Sequence, residues 1–127
     1  MTSDQTVTAF CSAINRSAWD EAVALLSDDC VYLNVPMEPA IVGPQGVRDT
    51  LQGFLSLLGS IRFEIQHQVA TGNVVMNERI DHVTPPAGKN YGLPVVGVFE
   101  VRGDKICAWR DYFDIRQFET GSGLKLS

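Results

Sequence analysis

The chain has 127 residues, 45% of them apolar, and a formal net charge of −5, which fits one compact domain over residues 1–127 with a single buried core. It lacks the clustered Lys and Arg that a phosphate-tracking surface needs, which excludes nucleic acid as a partner and favours a neutral or weakly polar ligand. No apolar run is long enough to cross a bilayer, and the polar start Met1-Thr2-Ser3-Asp4 lacks the core of a signal peptide, so the expectation is a cytoplasmic protein with no membrane partner.

In chain order, Val7, Phe10, Cys11 and Ile14 recur at helical spacing behind a Thr2–Gln5 capping box, which predicts a first helix. A second follows Ser17, with Trp19, Ala22, Val23 and Leu26 on one face. Residues Cys30–Val35 alternate as a strand, with Tyr32 and Asn34 on one side and Val31, Leu33 and Val35 on the other. After a Pro-rich connection, Gly43-Pro44 opens a third helix with a stripe of Val47, Leu51, Phe54, Leu55 and Leu58. Strands are predicted over Ile61–Val69, Val74–Val83, Val95–Val101 and Lys105–Phe113, joined by turns at Thr71-Gly72-Asn73, Thr84–Asn90 and Arg102-Gly103-Asp104, and the chain closes in a short tail. Helices followed by a run of antiparallel strands give an α+β fold, with the helices on one face of a sheet and an apolar cavity between them.

Polar side chains fall on one side of three different strands: Tyr32 with Asn34, Arg79 with Asp81, and Trp109 with Asp111. A single pair of this kind more often marks a solvated face. Trp109 and Phe113, however, pull the Asp111 face inward, and an inward Arg79 and Asp81 would need a second carboxylate as partner, since isolated buried charges are costly. Two close carboxylates cannot both ionise freely, and a guanidinium between them can hydrogen-bond to each. The trio thus supplies an acid and a base together, as epoxide opening by water requires, with no metal or organic cofactor.

The other polar residues receive plainer readings. Cys11, Cys30 and Cys107 are odd in number and widely spaced, and suit reduced, packed thiols; with His67 and His82 they form no metal-ligand spacing. His67 continues the face of Ile61, Phe63 and Ile65 and reads as a packed or interface histidine. His82, Arg110, Tyr112 and Asp114 have the wrong parity for the site, and Gly97 marks a bend or close approach in its strand.

The segments Val31-Tyr32-Leu33-Asn34-Val35-Pro36, Glu78-Arg79-Ile80-Asp81, Gly97-Val98-Phe99 and Trp109-Arg110-Asp111-Tyr112-Phe113-Asp114 resemble, in order, the limonene-1,2-epoxide hydrolase family. The resemblance implies a cone similar to nuclear transport factor 2 and the cystatin fold, a curved, mixed, largely antiparallel sheet wrapped around the N-terminal helices, and a homodimer. It also implies roles: Asp111 as general base, Tyr32 and Asn34 holding its water, Asp81 as general acid, Arg79 bridging the two aspartates, and Trp109 helping to wall the site. Phe54, Leu58, Val83, Leu93, Val95 and Phe113 would form an apolar pocket, with one residue inserted between Pro36 and Gly43 at its rim. The substrates would be a small apolar epoxide and water. Competing readings on the same cone are an epoxide-opening cyclase, an isomerase, and a non-catalytic small-molecule-binding domain.

Overall fold

A computed structural model describes residues 1–37 and 39–124. The last residues of the tail, 125–127, and residue 38, in the segment between Pro36 and Gly43 where one residue reads as inserted, lie outside them. Helix α1 (Ser3–Asn15) opens with the expected reciprocal capping box: the Gln5 amide donates to the Thr2 hydroxyl, and the Gln5 side chain accepts from the Thr2 amide. One face of α1, including Val7, Phe10, Cys11 and Ile14, is buried against the sheet. Helix α2 (Trp19–Ala24) and helix α3 (Pro44–Leu58) follow, the latter with Pro44 at its start, where a missing N–H costs nothing.

The strands are β1 (Leu26–Asn34), β2 (Ile41–Val42), β3 (Ser60–Thr71), β4 (Val74–Thr84), β5 (Tyr91–Arg102) and β6 (Lys105–Tyr112). They form one sheet in the order β2-β1-β6-β5-β4-β3. Strands β3 to β6 make an antiparallel meander, and β1 returns to lie parallel to β6, so the sheet is mixed as expected. Among the described residues no helix is long and apolar enough to cross a membrane.

Three local features depart from the periodic reading. The Pro-rich connection contains β2, a two-residue edge strand paired with Val31 and Tyr32. The segment read as tail folds into helix α4 (Ile115–Ser122), with Asp114 accepting from the Gln117 amide at 2.9 Å and Gly123 in the left-handed conformation at its end. Strand β3 carries a register shift between Ile65 and His67. The extra residue reverses the side-chain alternation, so His67 does not continue the inward face of Phe63 and Ile65. It is exposed and paired with Glu78 at 2.8 Å, while Gln68 turns inward opposite Asn77.

Apolar packing forms two clusters. The larger joins α1 to Val75, Phe99, Ile106 and Trp109 on the sheet, and the smaller gathers Leu58, Val83, Leu93, Val95 and Phe118. The space between them is the cavity described next.

Candidate active site

Strands β1, β4 and β6 carry the polar residues, and their registers bring those residues together. Asn34, Asp111, Gly97 and Asn77 lie side by side across four strands, and Tyr32, Trp109, Phe99 and Val75 form the neighbouring row. Because directly paired strand residues share a face, the inward parity of Asp111 fixes that of Asn34 and Asn77. In the second row Tyr32 stacks on Trp109 with ring centroids 4.0 Å apart, Trp109 stacks on Phe99 at 5.5 Å, and Phe10 meets the indole edge-on at 5.2 Å. This aromatic layer supports the polar one.

Arg79 is wholly buried, and every N–H of its guanidinium has an acceptor. Nε and Nη2 fork onto the two oxygens of Asp81, both at 3.0 Å. Nη1 and Nη2 fork onto Asp111 at 3.1 and 2.9 Å, and Nη1 also donates to Asn77 Oδ1 at 3.2 Å. The guanidinium carbon lies 4.5 Å from the centre of the Phe63 ring, which covers it. These paired, charge-assisted bonds are what allow two carboxylates and a cation to sit out of water.

Arg79 and Asp111 stand on β4 and β6, so the guanidinium must pass over β5 to join them. Gly97 makes room: a Cβ there would lie 2.5 Å from Arg79 Nη1 and 2.9 Å from Asn77 Oδ1. The close approach expected at this glycine is thus an approach to the cation. Gly97→Ala is expected to destabilise the protein by about 1–3 kcal/mol, the usual consequence of overpacking a filled core. Urea unfolding, together with an activity loss larger than that of other mutants of equal stability, is the measurement that checks it.

Burial pushes the Asp81 carboxyl up to about 6 from an ordinary 3.8; the neighbouring Arg79 opposes the shift and Asp111 reinforces it. Burial works against the Arg79 charge, but the two carboxylates together outweigh it and hold its pKa above the ordinary guanidinium range. Burial thus biases Asp81 toward its protonated form. Asp111 accepts a further bond, from the Trp109 indole N–H at 2.7 Å. Burial, and then the charge of Asp111, raises the pKa of the Tyr32 phenol, which stays protonated and donates to Asn34 Oδ1 at 3.2 Å.

Tyr32, Asn34, Asp81 and Asp111 all line a cavity of about 310 Å³. Its apolar wall includes Phe54, Leu58, Val83, Leu93, Val95 and Phe113, each of the residues named for it from the sequence. Trp109 is not in that wall; it lies behind Tyr32, 1% exposed, and touches the site through its bond to Asp111. Sequence reasoning passed over Phe118 of the unrecognised α4, and Met37, which also line the cavity. It passed over Asn77 as well, although Asn77 shares the parity of Arg79 and Asp81. Cys11 and Cys30 are buried free thiols, and Cys107 is half-buried with its sulfur 3.4 Å from the Glu100 carbonyl. On the outer face Arg110 pairs with Glu100 at 2.7 Å and His82 with Glu64 at 2.6 Å.

A helix-backed curved sheet enclosing an apolar cavity places the protein in the nuclear transport factor 2-like class. Such a protein from Burkholderia pseudomallei superposes with a TM-score of 0.87 over 98% of this chain and 100% of its own, at 17% identity, a likeness of fold alone. Sequence narrows the class. The pattern of the limonene-1,2-epoxide hydrolase catalytic domain matches residues 1–121. The chain is 36% identical over 112 residues to epoxide hydrolase EphG of Mycobacterium tuberculosis, covering 86% of this chain and 71% of that relative. A solved LEH-like epoxide hydrolase from M. tuberculosis is similar with a TM-score of 0.78 and 33% identity, covering 94% of this chain and 88% of the other. The chain belongs to the limonene-1,2-epoxide hydrolase family, and so to the epoxide hydrolases.

Proposed function

We propose that the protein adds water to a small apolar epoxide in one step, giving a vicinal diol. The observation that carries this reading is the double fork of Arg79 onto Asp81 and Asp111, two carboxylates that line a cavity with a mainly apolar wall. Asp111 takes a proton from water held by Tyr32 and Asn34, and the water oxygen forms a bond to one epoxide carbon. As that carbon's bond to the ring oxygen breaks, Asp81 gives its proton to the departing oxygen. One water is consumed, and the net proton moved from Asp81 to Asp111 returns before the next turnover. Arg79 keeps the two carboxylates at fixed separation throughout. Phe54, Leu58, Val83, Leu93, Val95 and Phe113 favour a hydrocarbon substrate and exclude bulk water from the opening ring.

The Asp111 oxygens are engaged by three N–H bonds, which leaves them able to accept a proton but poorly free to attack carbon. A single turnover in heavy-oxygen water, with enzyme in excess over epoxide, is therefore expected to label the diol at once. Unlabelled first-turnover diol, followed by label in a peptide containing Asp81 or Asp111, would refute direct water attack. A panel of apolar epoxides that yields no diol would refute the activity.

We also propose a homodimer through the outer face of the sheet. Val69, Met76, Val96 and Tyr112 leave that face 66%, 46%, 44% and 45% exposed on adjoining strands, a cost that association removes. Light scattering is expected to give twice the chain mass, falling to one chain for Met76→Glu combined with Val96→Glu. The free thiols suit a reducing compartment, in keeping with a cytoplasmic enzyme.

A further inference from the structure

The guanidinium of Arg79 has five N–H groups, and the two aspartates account for four of its bonds. The fifth goes to Asn77 Oδ1, whose residue is only 2% exposed. An asparagine amide can sit either way round; only one way presents oxygen to the cation, and the other sets NH₂ against N–H at a buried position. Something must hold the amide in the productive sense.

Gln68 does so. Asn77 Nδ2 donates to Gln68 Oε1 at 3.0 Å. Gln68 Nε2 in turn donates to Asp4 Oδ1 at 2.8 Å, to the Asp4 carbonyl at 3.2 Å and to Thr8 Oγ at 2.9 Å, all in the first turns of α1. Asp4 can only accept as a carboxylate, so the direction of every bond between it and Arg79 is determined. The register shift in β3 creates this path, because without it His67 rather than Gln68 would stand opposite Asn77.

We infer that Asn77 is a positioning residue for the Arg79 guanidinium, and that Gln68, placed by the β3 bulge and oriented by Asp4 and Thr8, sets the sense of its amide. The inference rests on the acid–base reading above. With the fifth acceptor present, the planar fork is pinned at both edges and along its face by Phe63; without it, Nη1 retains a buried, unbonded hydrogen and the fork tilts out of register with Asp111. The groups facing the cluster are Asp81 of β4, Asp111 of β6, Tyr32 of β1 and Cys11 of α1, with His82 next along β4. Burial pushes the Cys11 thiol up to about 12, so it adds no charge.

Asn77→Leu is similar in size but cannot accept. It is expected to lower kcat by about 10- to 100-fold with KM changed less than about threefold, the scale of one lost bond to a buried cation. The weaker hold of Arg79 on Asp81 moves the alkaline limb of the pH profile upward. Gln68 is only half-buried, so its variants should fold even if Asn77→Leu does not. Gln68→Leu is expected to lower kcat by about three- to tenfold with the same limb shift. The Arg79 guanidinium N–H resonances are expected to exchange faster in both leucine variants than in the parent. That readout needs no turnover, so it separates failure of this inference from failure of the epoxide reading. A folded Asn77→Leu with parent kcat, or a Gln68→Leu with parent kcat, limb and exchange, overturns the proposal.

Discussion

Asp111→Asn is expected to lower kcat by about 10²- to 10⁴-fold, and Asp81→Asn by a similar factor, with both variants folded by circular dichroism; that range is the usual contribution of one positioned acid or base, roughly 3–5 kcal/mol of barrier. The geometry makes the amide a severe change despite its similar shape. At position 111 one oxygen accepts from Trp109 and Arg79 Nη1 and the other from Arg79 Nη2, so an NH₂ on either side opposes an N–H donor. At position 81 both oxygens accept from the same guanidinium, and the amide also lacks the acidic proton. The same opposition costs about 1–3 kcal/mol of stability, which thermal unfolding reads separately from kcat. Either variant with near-parent turnover on a good substrate would remove that aspartate from the chemistry.

Arg79→Lys is expected to be nearly as damaging, although charge is conserved. An ammonium offers three hydrogens from one point and cannot reproduce two forks directed at carboxylates on β4 and β6. At least two of the five present bonds are lost, each leaving a buried acceptor that costs on the order of 1–3 kcal/mol. The point charge also forfeits the flat contact with Phe63. A fall in kcat of about 100-fold or more with a lower unfolding midpoint is the anticipated result, on the scale of 1.4 kcal/mol per decade. Parent activity in the lysine variant would make the bridge dispensable.

What was legible in the sequence was whatever a period of two or 3.6 can carry. Parity puts Tyr32 with Asn34, Arg79 with Asp81 and Trp109 with Asp111 on shared faces, but joining Arg79 and Asp81 to Asp111 takes the cost of unpaired buried charge, and joining Tyr32 and Asn34 to Asp111 takes the family resemblance. Parity failed where the period itself is broken. Nothing in Ile65-Gln66-His67 announces an extra residue, so unbroken alternation puts His67 on the face of Phe63 and Ile65, where the bulge instead places Gln68. Strand β2 is two residues long, too short to show any period. Helix α4 did carry signals, an Asp114 cap three residues before Gln117 and a Gly123 stop, but Ile115 and Phe118 alone make a thin apolar stripe. Trp109 shows the other limit: parity gives the direction of a side chain, not which of two stacked aromatic rings meets the cavity.

The parallel pairing of β1 with β6 sets the first long strand beside the last, and this governs when the site comes into being. As the chain emerges during synthesis, β4 is made with a balanced pair, Arg79 and Asp81. Asp111 arrives 32 residues after Arg79, and only then do Tyr32 and Asn34 acquire their neighbour. The second carboxylate, and with it the part of the upward push on the Asp81 carboxyl that Asp111 supplies, is thus added after β4 has been made. Contacts this distant along the chain form late and slowly. On the acid–base proposal, reactivity belongs to the finished sheet: a chain halted before β6 has Arg79 and Asp81 but not the carboxylate of Asp111.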